Sequence, residues 1–296
     1  MRCEHPHLEI GRKKAIISHI LNQEVFQMNA KTTILLVALL AGASLAQIQT
    51  VAGKGSIDWG ARTVTAIGIG APNPNMPEVT ARPMAIRAAR DVALRNALEL
   101  IKGIQLSSST TVENFMVTSD VIRSQVDGYI RKFDASEPKY MSDKTIEITV
   151  TIPIDNDLAN ALLPPAIGAT AQQVSAPVGH SSAHFTGLII DARGTGAIPA
   201  LVPKILDEDG KEVYGSAYVT RDFAIKWGMA GYAKTPEQAA KFTDRIGAQP
   251  GIIKAVRATG ASHCDLVISN NDANDVRAAA KSMKFLSDCR VIVLVD

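Results

Sequence analysis

The sequence predicts an α+β domain, with a mixed sheet and its helices on one face, followed by an α/β domain. Three observations support this prediction. Residues 145–152 alternate strictly between apolar and polar, residues 81–102 carry apolar side chains at helical spacing, and residues 291–295 are continuously apolar. The length of 296 residues, 46% hydrophobic and 20% charged, suits about two globular domains.

The first domain begins with an alternating strand at 63–69 and a turn rich in Pro and Asn. A helix over 81–102 follows, with Thr80 and Pro83 in its first turn and Gly103 at its end. The remaining predicted elements are a strand at 105–112, a helix at 117–130 and strands at 131–140 and 145–152. This order favours one sheet with helices packed on a single face.

The second domain opens with a strand at 185–191, and Asp209 and Gly210 predict a hairpin. Thr235 caps a predicted helix that runs to about residue 246. Further predicted elements are strands at 252–257 and 265–268, a helix at 271–286 and the closing strand at 291–295. Because that last strand is continuously apolar, we expect it to be central and buried on both faces.

The domain boundary is predicted at residues 163–182, which are rich in Pro, Ala, Gly and Ser and carry no charged side chain. Such a composition is typical of an extended, solvated linker. The first domain therefore covers residues 54–160 and the second residues 183–296.

The N-terminus is typical of a secretory signal peptide. An apolar run of near ten residues, Ile34 to Ala43, follows Lys31 and precedes a small-x-small site ending at Ala46. The run is too short for a membrane-spanning helix, which needs about twenty residues; a buried core helix is the alternative. We expect a signal peptide over 28–46, cleavage between Ala46 and Gln47, and a non-translated extension over 1–27.

Cysteine usage agrees with export. Cys3 falls in the expected extension, which leaves Cys264 and Cys289 as an even pair, and such a pair in an exported protein predicts a disulfide. The alternative is two free buried thiols that act as small hydrophobes. No cysteine follows the signal as a lipid acceptor, so we expect no lipid anchor and no transmembrane segment in the mature chain.

The charge balance argues against a nucleic-acid partner. Five basic and three acidic residues lie in the first 46, so residues 47–296 carry 26 of each sign. Nucleic-acid binding depends on clustered Lys and Arg.

Two glycine patterns are candidate phosphate sites. Gly68-x-Gly70 and Gly194-x-Gly196 each follow a strand, but prolines follow both and oppose the helix that would offer its N-terminus to an anion. Both are interpreted as turns, and no cofactor is predicted.

Metal sites are also not predicted. Asp207, Glu208 and Asp209 resemble the start of a calcium loop, but the oxygen ligands that should follow are missing, so a charged hairpin tip is favoured. His180 and His184 are four residues apart but lie in or beside the linker.

No catalytic residue is predicted. His263 and Cys264 are adjacent, so on a strand they point to opposite faces, and no G-x-S-x-G elbow is present. The hydroxyl row at 107–111 and the arginines of the 81–102 helix each suit either a ligand or a solvated face, and the solvated face is favoured.

Residues 65–154 resemble the LPP-twenty lipoprotein family and the N-terminal domain of flagellar assembly protein T. The matching features are the Gly-x-Gly at Gly68, the run from Arg87 to Asp91 leading to Arg95 and Asn96, Gly103, and Gly128. The resemblance implies bacterial envelope proteins, some of them in the flagellar basal body, without enzyme activity. The second domain resembles a module that accompanies this family.

These observations predict a non-catalytic, exported protein, periplasmic or associated with the outer membrane. We expect it to act through contacts with envelope or flagellar proteins. The alternative is a periplasmic protein that binds a small molecule or glycan through its C-terminal α/β domain.

Overall fold

A computed structural model describes residues 48–168 and 184–296, termed here the N-terminal and C-terminal segments. The N-terminal strands are β1 (Ile48–Val51), β2 (Gly55–Asp58), β3 (Thr63–Gly70), β4 (Gln105–Ser107), β5 (Thr110–Thr111), β6 (Lys139–Tyr140) and β7 (Ile146–Pro153). The N-terminal helices are α1 (Glu78–Lys102), α2 (Val112–Val117), α3 (Asp120–Ile130) and α4 (Asn156–Leu162).

The C-terminal segment mixes short strands and helices. Its strands are β8 (Leu188–Asp191), β9 (Ile205–Leu206), β10 (Glu212–Tyr214), β11 (Gly231–Ala233), β12 (Gly251–Lys254), β13 (Arg257–Thr259), β14 (Asp265–Val267) and β15 (Val291–Leu294). Its helices are α5 (Arg221–Trp227), α6 (Pro236–Ala240), α7 (Thr243–Ile246) and α8 (Asn270–Ser282).

The main N-terminal sheet has the order β1-β2-β3-β7-β6, and α1 packs against it. All its neighbouring strands pair antiparallel, so the sheet is not mixed as predicted. The strict alternation of β7 explains this result, because its even-numbered residues are buried and its odd-numbered residues are more accessible. That pattern is typical of an antiparallel sheet with one face covered.

Gly68 and Gly70 are strand residues that let α1 approach β3 closely. A Cβ on Gly68 would lie 2.0 Å from the Ala89 carbonyl oxygen, and one on Gly70 would lie 2.1 Å from that of Ala85. The buried face of α1 is itself a stripe of alanines at four-residue spacing. The interpretation of this Gly-x-Gly as a turn is therefore wrong, because the pair provides room for the helix backbone.

Other N-terminal elements are shorter than predicted. The 117–130 helix begins only at Asp120, where the Ser119 hydroxyl accepts a hydrogen bond from the Ile122 amide. The predicted strand at 105–112 is a hairpin of β4 and β5, and the one at 131–140 pairs mainly at β6. Their hydroxyl-rich and mixed sequences lack the alternation that defined β7.

The C-terminal segment contains a parallel sheet with the order β11-β15-β8-β12. As predicted, β15 is an interior strand and is buried along its whole length. A second sheet has the order β10-β9-β14-β13. The predicted hairpin joins β9 to β10, with Gly210 at φ 79° in its turn.

The two segments share one hydrophobic core, so the predicted layout of two domains joined by a solvated linker is not confirmed. The Leu201 and Val202 amides donate to the Gln105 and Leu106 carbonyls at 3.0 and 2.7 Å. Leu163 and Ile167, at the start of the predicted linker, are buried; the rest of that linker from residue 169 lies outside the described residues.

The signal peptide, its cleavage site at Ala46 and Gln47 and the extension over 1–27 also lie outside the described residues. Within the two described segments, no helix is long and apolar enough to cross a bilayer.

Candidate functional site

A groove of about 340 Å³ runs between α1 and α3 on the N-terminal segment. It is called here the α1–α3 groove, and its lining residues are Asp91, Leu94, Arg95, Leu98, Asp127, Ile130 and Arg131. Its volume falls within the range of about 300–1,000 Å³ that is typical of ligand pockets. An apolar centre with a charged rim is also typical of protein-binding surfaces.

Helical spacing brings these side chains together. On α1 the lining residues recur at positions i, i+3, i+4 and i+7, which form one stripe about 10 Å long. On α3, Asp127 and Ile130 are three residues apart, and Arg131 caps the helix. Because the alanine stripe of α1 faces the sheet, its Leu94 and Leu98 side chains turn toward α3.

The charged side chains of the groove are not paired with one another. Asp91, Arg95, Asp127 and Arg131 form no ion pair within 4 Å with any other described residue. Hydrogen bonding and charge from Lys54 lower the pKa of Glu99, and the charge of Arg95 adds to this effect. Arg95 is exposed and solvated.

Asp127 is the unusual member of this set. Its Oδ1 atom is buried and has no hydrogen-bond partner among the described residues. Most buried polar atoms in proteins are hydrogen-bonded, and leaving one unsatisfied costs about 1–3 kcal/mol. Asp127 therefore carries an unsatisfied buried acceptor beside the groove.

The carboxyl edge of the parallel sheet is a second possible site, because ligands of open α/β sheets bind at that edge. Here β8 ends at Asp191, which accepts from Arg193 Nε at 2.8 Å and Nη2 at 2.7 Å. The Gly194 amide donates to Asp296 at 2.8 Å. These charges are paired internally, whereas those of the groove are not.

The other glycine pattern is confirmed as a turn at this edge. Gly194 and Gly196 have φ values of 77° and 69°, and a Cβ on either would meet nothing within 4 Å.

The predicted disulfide is not seen, because Cys264 and Cys289 are free, buried thiols. Cys264 precedes β14 and Cys289 precedes β15, and these strands belong to different sheets. Burial raises the pKa of each thiol to about 11, with smaller contributions from the charges of Asp265 and Asp288. The even number of cysteines carries no information about whether the two thiols lie near each other in the fold.

Three further groups in the sequence are candidate ligand or metal sites: the hydroxyl row, the carboxylate cluster and the two histidines. Ser108 of the hydroxyl row donates to Asp265 at 2.5 Å and so ties the β4–β5 hairpin to the C-terminal segment. Asp207 of the carboxylate cluster is buried and pairs with Arg277 at 2.8 Å. His184 is exposed and His180 lies outside the described residues. Within the described segments, no group of three or more His, Cys, Asp or Glu could hold a metal ion.

Sequence reasoning missed the groove. The charged residues of the 81–102 helix predict a solvated face, and no sequence motif marks Asp127. The i, i+3, i+4, i+7 spacing of Asp91, Leu94, Arg95 and Leu98 was visible in the sequence, but its partner helix was not.

Comparison with known protein families gives a match for the C-terminal part of the chain. Residues 187–296 match the family model of the second domain of Treponema pallidum Tp0624. The match begins at the start of β8 and covers both C-terminal sheets. The C-terminal segment is therefore similar to a bacterial protein domain. No curated protein matches the chain.

Proposed function

We propose that this chain is an exported, non-catalytic protein of the bacterial cell envelope that acts by binding another protein through the α1–α3 groove. The observation that carries this proposal is the groove itself. It combines an apolar floor of Leu94, Leu98 and Ile130 with four charged side chains unpaired among the described residues.

Two further observations support an envelope role. The groove lies within residues 65–154, which resemble the LPP-twenty family and the N-terminal domain of flagellar assembly protein T. Residues 28–46 also have the features of a secretory signal peptide. The resemblance makes the flagellar base one specific location, in the periplasm or at the outer membrane.

Site-specific photocrosslinking in cells tests the contact. A benzophenone amino acid in place of Leu98 should give an adduct with an identified envelope protein. The matched control places the same residue at Thr151, which is exposed on the opposite face of the sheet. No adduct from Leu98, or the same adducts from both positions, would contradict the proposal.

The intact mass of the protein recovered from fractionated cells tests export. A chain that begins at Gln47 in the periplasmic fraction is expected. A chain that retains Met28 in the cytoplasmic fraction would contradict an envelope role, whatever the groove binds.

A second candidate function is binding of a small molecule or glycan at the carboxyl edge of the parallel sheet. The open turn at Gly194 and Gly196 beside Arg193 favours it. A ligand of this edge should raise the melting temperature of the wild-type protein and not that of Arg193→Ala. A panel of glycans and small metabolites that leaves both melting temperatures unchanged would exclude it.

A further inference from the structure

We propose that one end of the N-terminal segment, called here the apolar tip, binds the surface of a phospholipid bilayer. The tip comprises residues 76–84 and 140–145. It exposes five large hydrophobic side chains, which are Met76, Val79, Met84, Tyr140 and Met141. The inference goes beyond the proposed function, because none of these five residues lines the α1–α3 groove.

The hairpin turn of the tip projects past one end of the main sheet. Gly70 at the end of β3 pairs with Ile146 at the start of β7, and Ile146 pairs with Tyr140 at the end of β6. Beyond this row the chain turns back, and the Met141 amide donates to the Thr145 carbonyl at 2.9 Å. The residues between β6 and β7 therefore extend beyond the strands.

The first two turns of α1 project past the same end of the sheet. A Cβ on Gly70 would lie 2.1 Å from the Ala85 carbonyl oxygen, so Ala85 lies over the last residue of β3. A Cβ on Gly68 would lie 2.0 Å from the Ala89 carbonyl oxygen, so α1 runs back along β3 from Ala85 onward. The preceding helical residues, 78–84, therefore extend beyond the strand.

The tip has a rigid support although its apolar side chains are exposed. The Arg82 guanidinium lies 4.1 Å from the centre of the Tyr140 ring, and this contact joins α1 to β6. In the loop before α1, the Met76 amide donates to the Asn73 carbonyl at 3.2 Å, and prolines restrict the backbone. A rigid surface loses little conformational freedom when it binds, so this arrangement favours association.

The shape of the tip favours an occupant that deforms. Val79 is 85% exposed, and Met84, Tyr140 and Met141 are each about half exposed, so these side chains do not cover one another. Two such projections, one from each of two copies of the chain, would bury little surface against each other. Lipid chains can pack around each projecting side chain and remove it from water.

The charges around the tip match a zwitterionic surface. Residues 76–84 and 139–147 carry three basic and three acidic side chains, which are Arg82, Lys139, Lys144, Glu78, Asp143 and Glu147. Phosphatidylcholine headgroups likewise carry one phosphate and one ammonium group each, so both signs meet an opposite charge. The Lys and Arg stems and the Tyr140 ring can lie along the apolar layer while their polar ends stay among the headgroups. A strongly charged partner would require an excess of one sign, which the tip lacks.

Flotation with phosphatidylcholine vesicles tests the proposal. The protein used is residues 47–296, which form one compact unit and omit the apolar run at 34–43. We expect wild type to float with the vesicles. The double variant Val79→Asp/Met141→Asp should bind about tenfold or more weakly, because each change puts a charge in place of an apolar side chain that leaves water.

The matched control is Ile252→Asp/Val256→Asp. It replaces two apolar residues of the C-terminal segment that are 66% and 52% exposed, and it adds the same charge. The control should bind the vesicles as wild type does. Equal melting temperatures of the three proteins show that the substitutions leave the fold intact.

Fluorescence distinguishes insertion from adsorption. The emission of Val79→Trp should shift to shorter wavelength when vesicles are added, and lipids brominated on their acyl chains should quench it. Ile252→Trp should show neither effect. Because the charges of the tip balance, an anionic lipid should change binding little, and high salt should not abolish it.

Four outcomes would overturn the proposal. Three are no flotation of wild type, an equal loss of flotation in the tip and control variants, and binding that requires an anionic lipid and is lost in high salt. The fourth is a wild-type dimer that Val79→Asp/Met141→Asp dissociates, which would make a second copy the occupant. The Leu98 crosslink does not enter this test, so the failure of the proposed function and the failure of this proposal are distinguishable.

Discussion

The carboxyl groups of Asp127 and Asp207 differ in whether the fold supplies hydrogen-bond partners to their oxygens. Asp207 is 3% exposed, and its two oxygens accept from Lys211 N at 2.7 Å and Arg277 Nη2 at 2.8 Å. Asp127 lines the α1–α3 groove and leaves its buried Oδ1 atom without a partner. One carboxyl group is satisfied within the fold and the other is not.

Arg245, a buried cation in the C-terminal segment, also has hydrogen-bond partners within the fold. Arg245 donates to the Trp227 and Gly228 carbonyls at the end of α5, at 2.6 and 2.8 Å, although its Nε atom has no partner. Burial lowers its pKa to about 10, so it remains charged at neutral pH. The fold thus supplies partners to both oxygens of Asp207 and to two nitrogens of Arg245, whereas Asp127 Oδ1, Glu212 Oε1 and Arg245 Nε are buried without a partner among the described residues.

The largest expected effect is on the satisfied carboxylate. We expect Asp207→Asn to lower the free energy of unfolding by about 3 kcal/mol, because removing one partner leaves Arg277 buried without its counter-charge. Urea denaturation measures this loss. Asp209→Asn, in the turn of the same hairpin, is the control and should change stability by less than about 0.5 kcal/mol. If Asp207→Asn and Asp209→Asn lowered stability equally, the ion pair of Asp207 with Arg277 would not stabilise the fold, and Asp207 would not differ from Asp127 in this respect.

The pH dependence of stability should also report the stabilising ion pair of Asp207. Burial alone would raise the pKa of Asp207, but the hydrogen bonds and charge of Arg277 and Lys211 hold it below its ordinary value. A lowered carboxyl pKa stabilises the fold above the unfolded value of about 3.9, and this contribution is lost as the pH falls through the folded value. As the pH falls below about 4, stability should therefore fall less steeply in Asp207→Asn than in wild type. Parallel curves would contradict the assignment.

Arg245→Met should lower stability by about 2 kcal/mol, since the Trp227 and Gly228 carbonyls lose their charged donor. The comparison variant is Arg257→Met, which replaces an exposed arginine on β13. Thermal unfolding followed by circular dichroism measures both. Stability unchanged in Arg245→Met would show that these carbonyls find other partners.

Asp127→Leu should leave stability unchanged or raise it by up to about 1 kcal/mol, because it removes an unsatisfied buried acceptor. Chemical denaturation of the variant beside wild type gives the answer. A loss of more than about 1 kcal/mol would mean that Asp127 has a structural partner, as Asp207 does.

The smallest effect concerns the two thiols. At pH 8 the native protein should not react with an alkylating reagent at Cys264 or Cys289, because both are buried and their pKa values are raised to about 11. Both should react after unfolding in guanidinium chloride without reductant, as peptide mass spectrometry will show. Protection that persists in the unfolded chain would instead demonstrate the disulfide.

The sequence alone determined the elements whose pattern is strong. The alternation in β7, the end of α1 at Lys102, the hairpin at Gly210 and the continuous apolar run of β15 each follow from local periodicity or turn chemistry. Such signals arise from neighbours within one element, so they survive without knowledge of the rest of the fold.

Only the tertiary structure decided how these elements combine. It showed that Gly68-x-Gly70 is the close contact between α1 and β3 and not a turn, and it placed Cys264 and Cys289 before strands of different sheets. It also joined the predicted domains in one core and brought Asp127 opposite the α1 stripe. These features depend on contacts between residues far apart in sequence, and local periodicity carries no information about which distant elements meet.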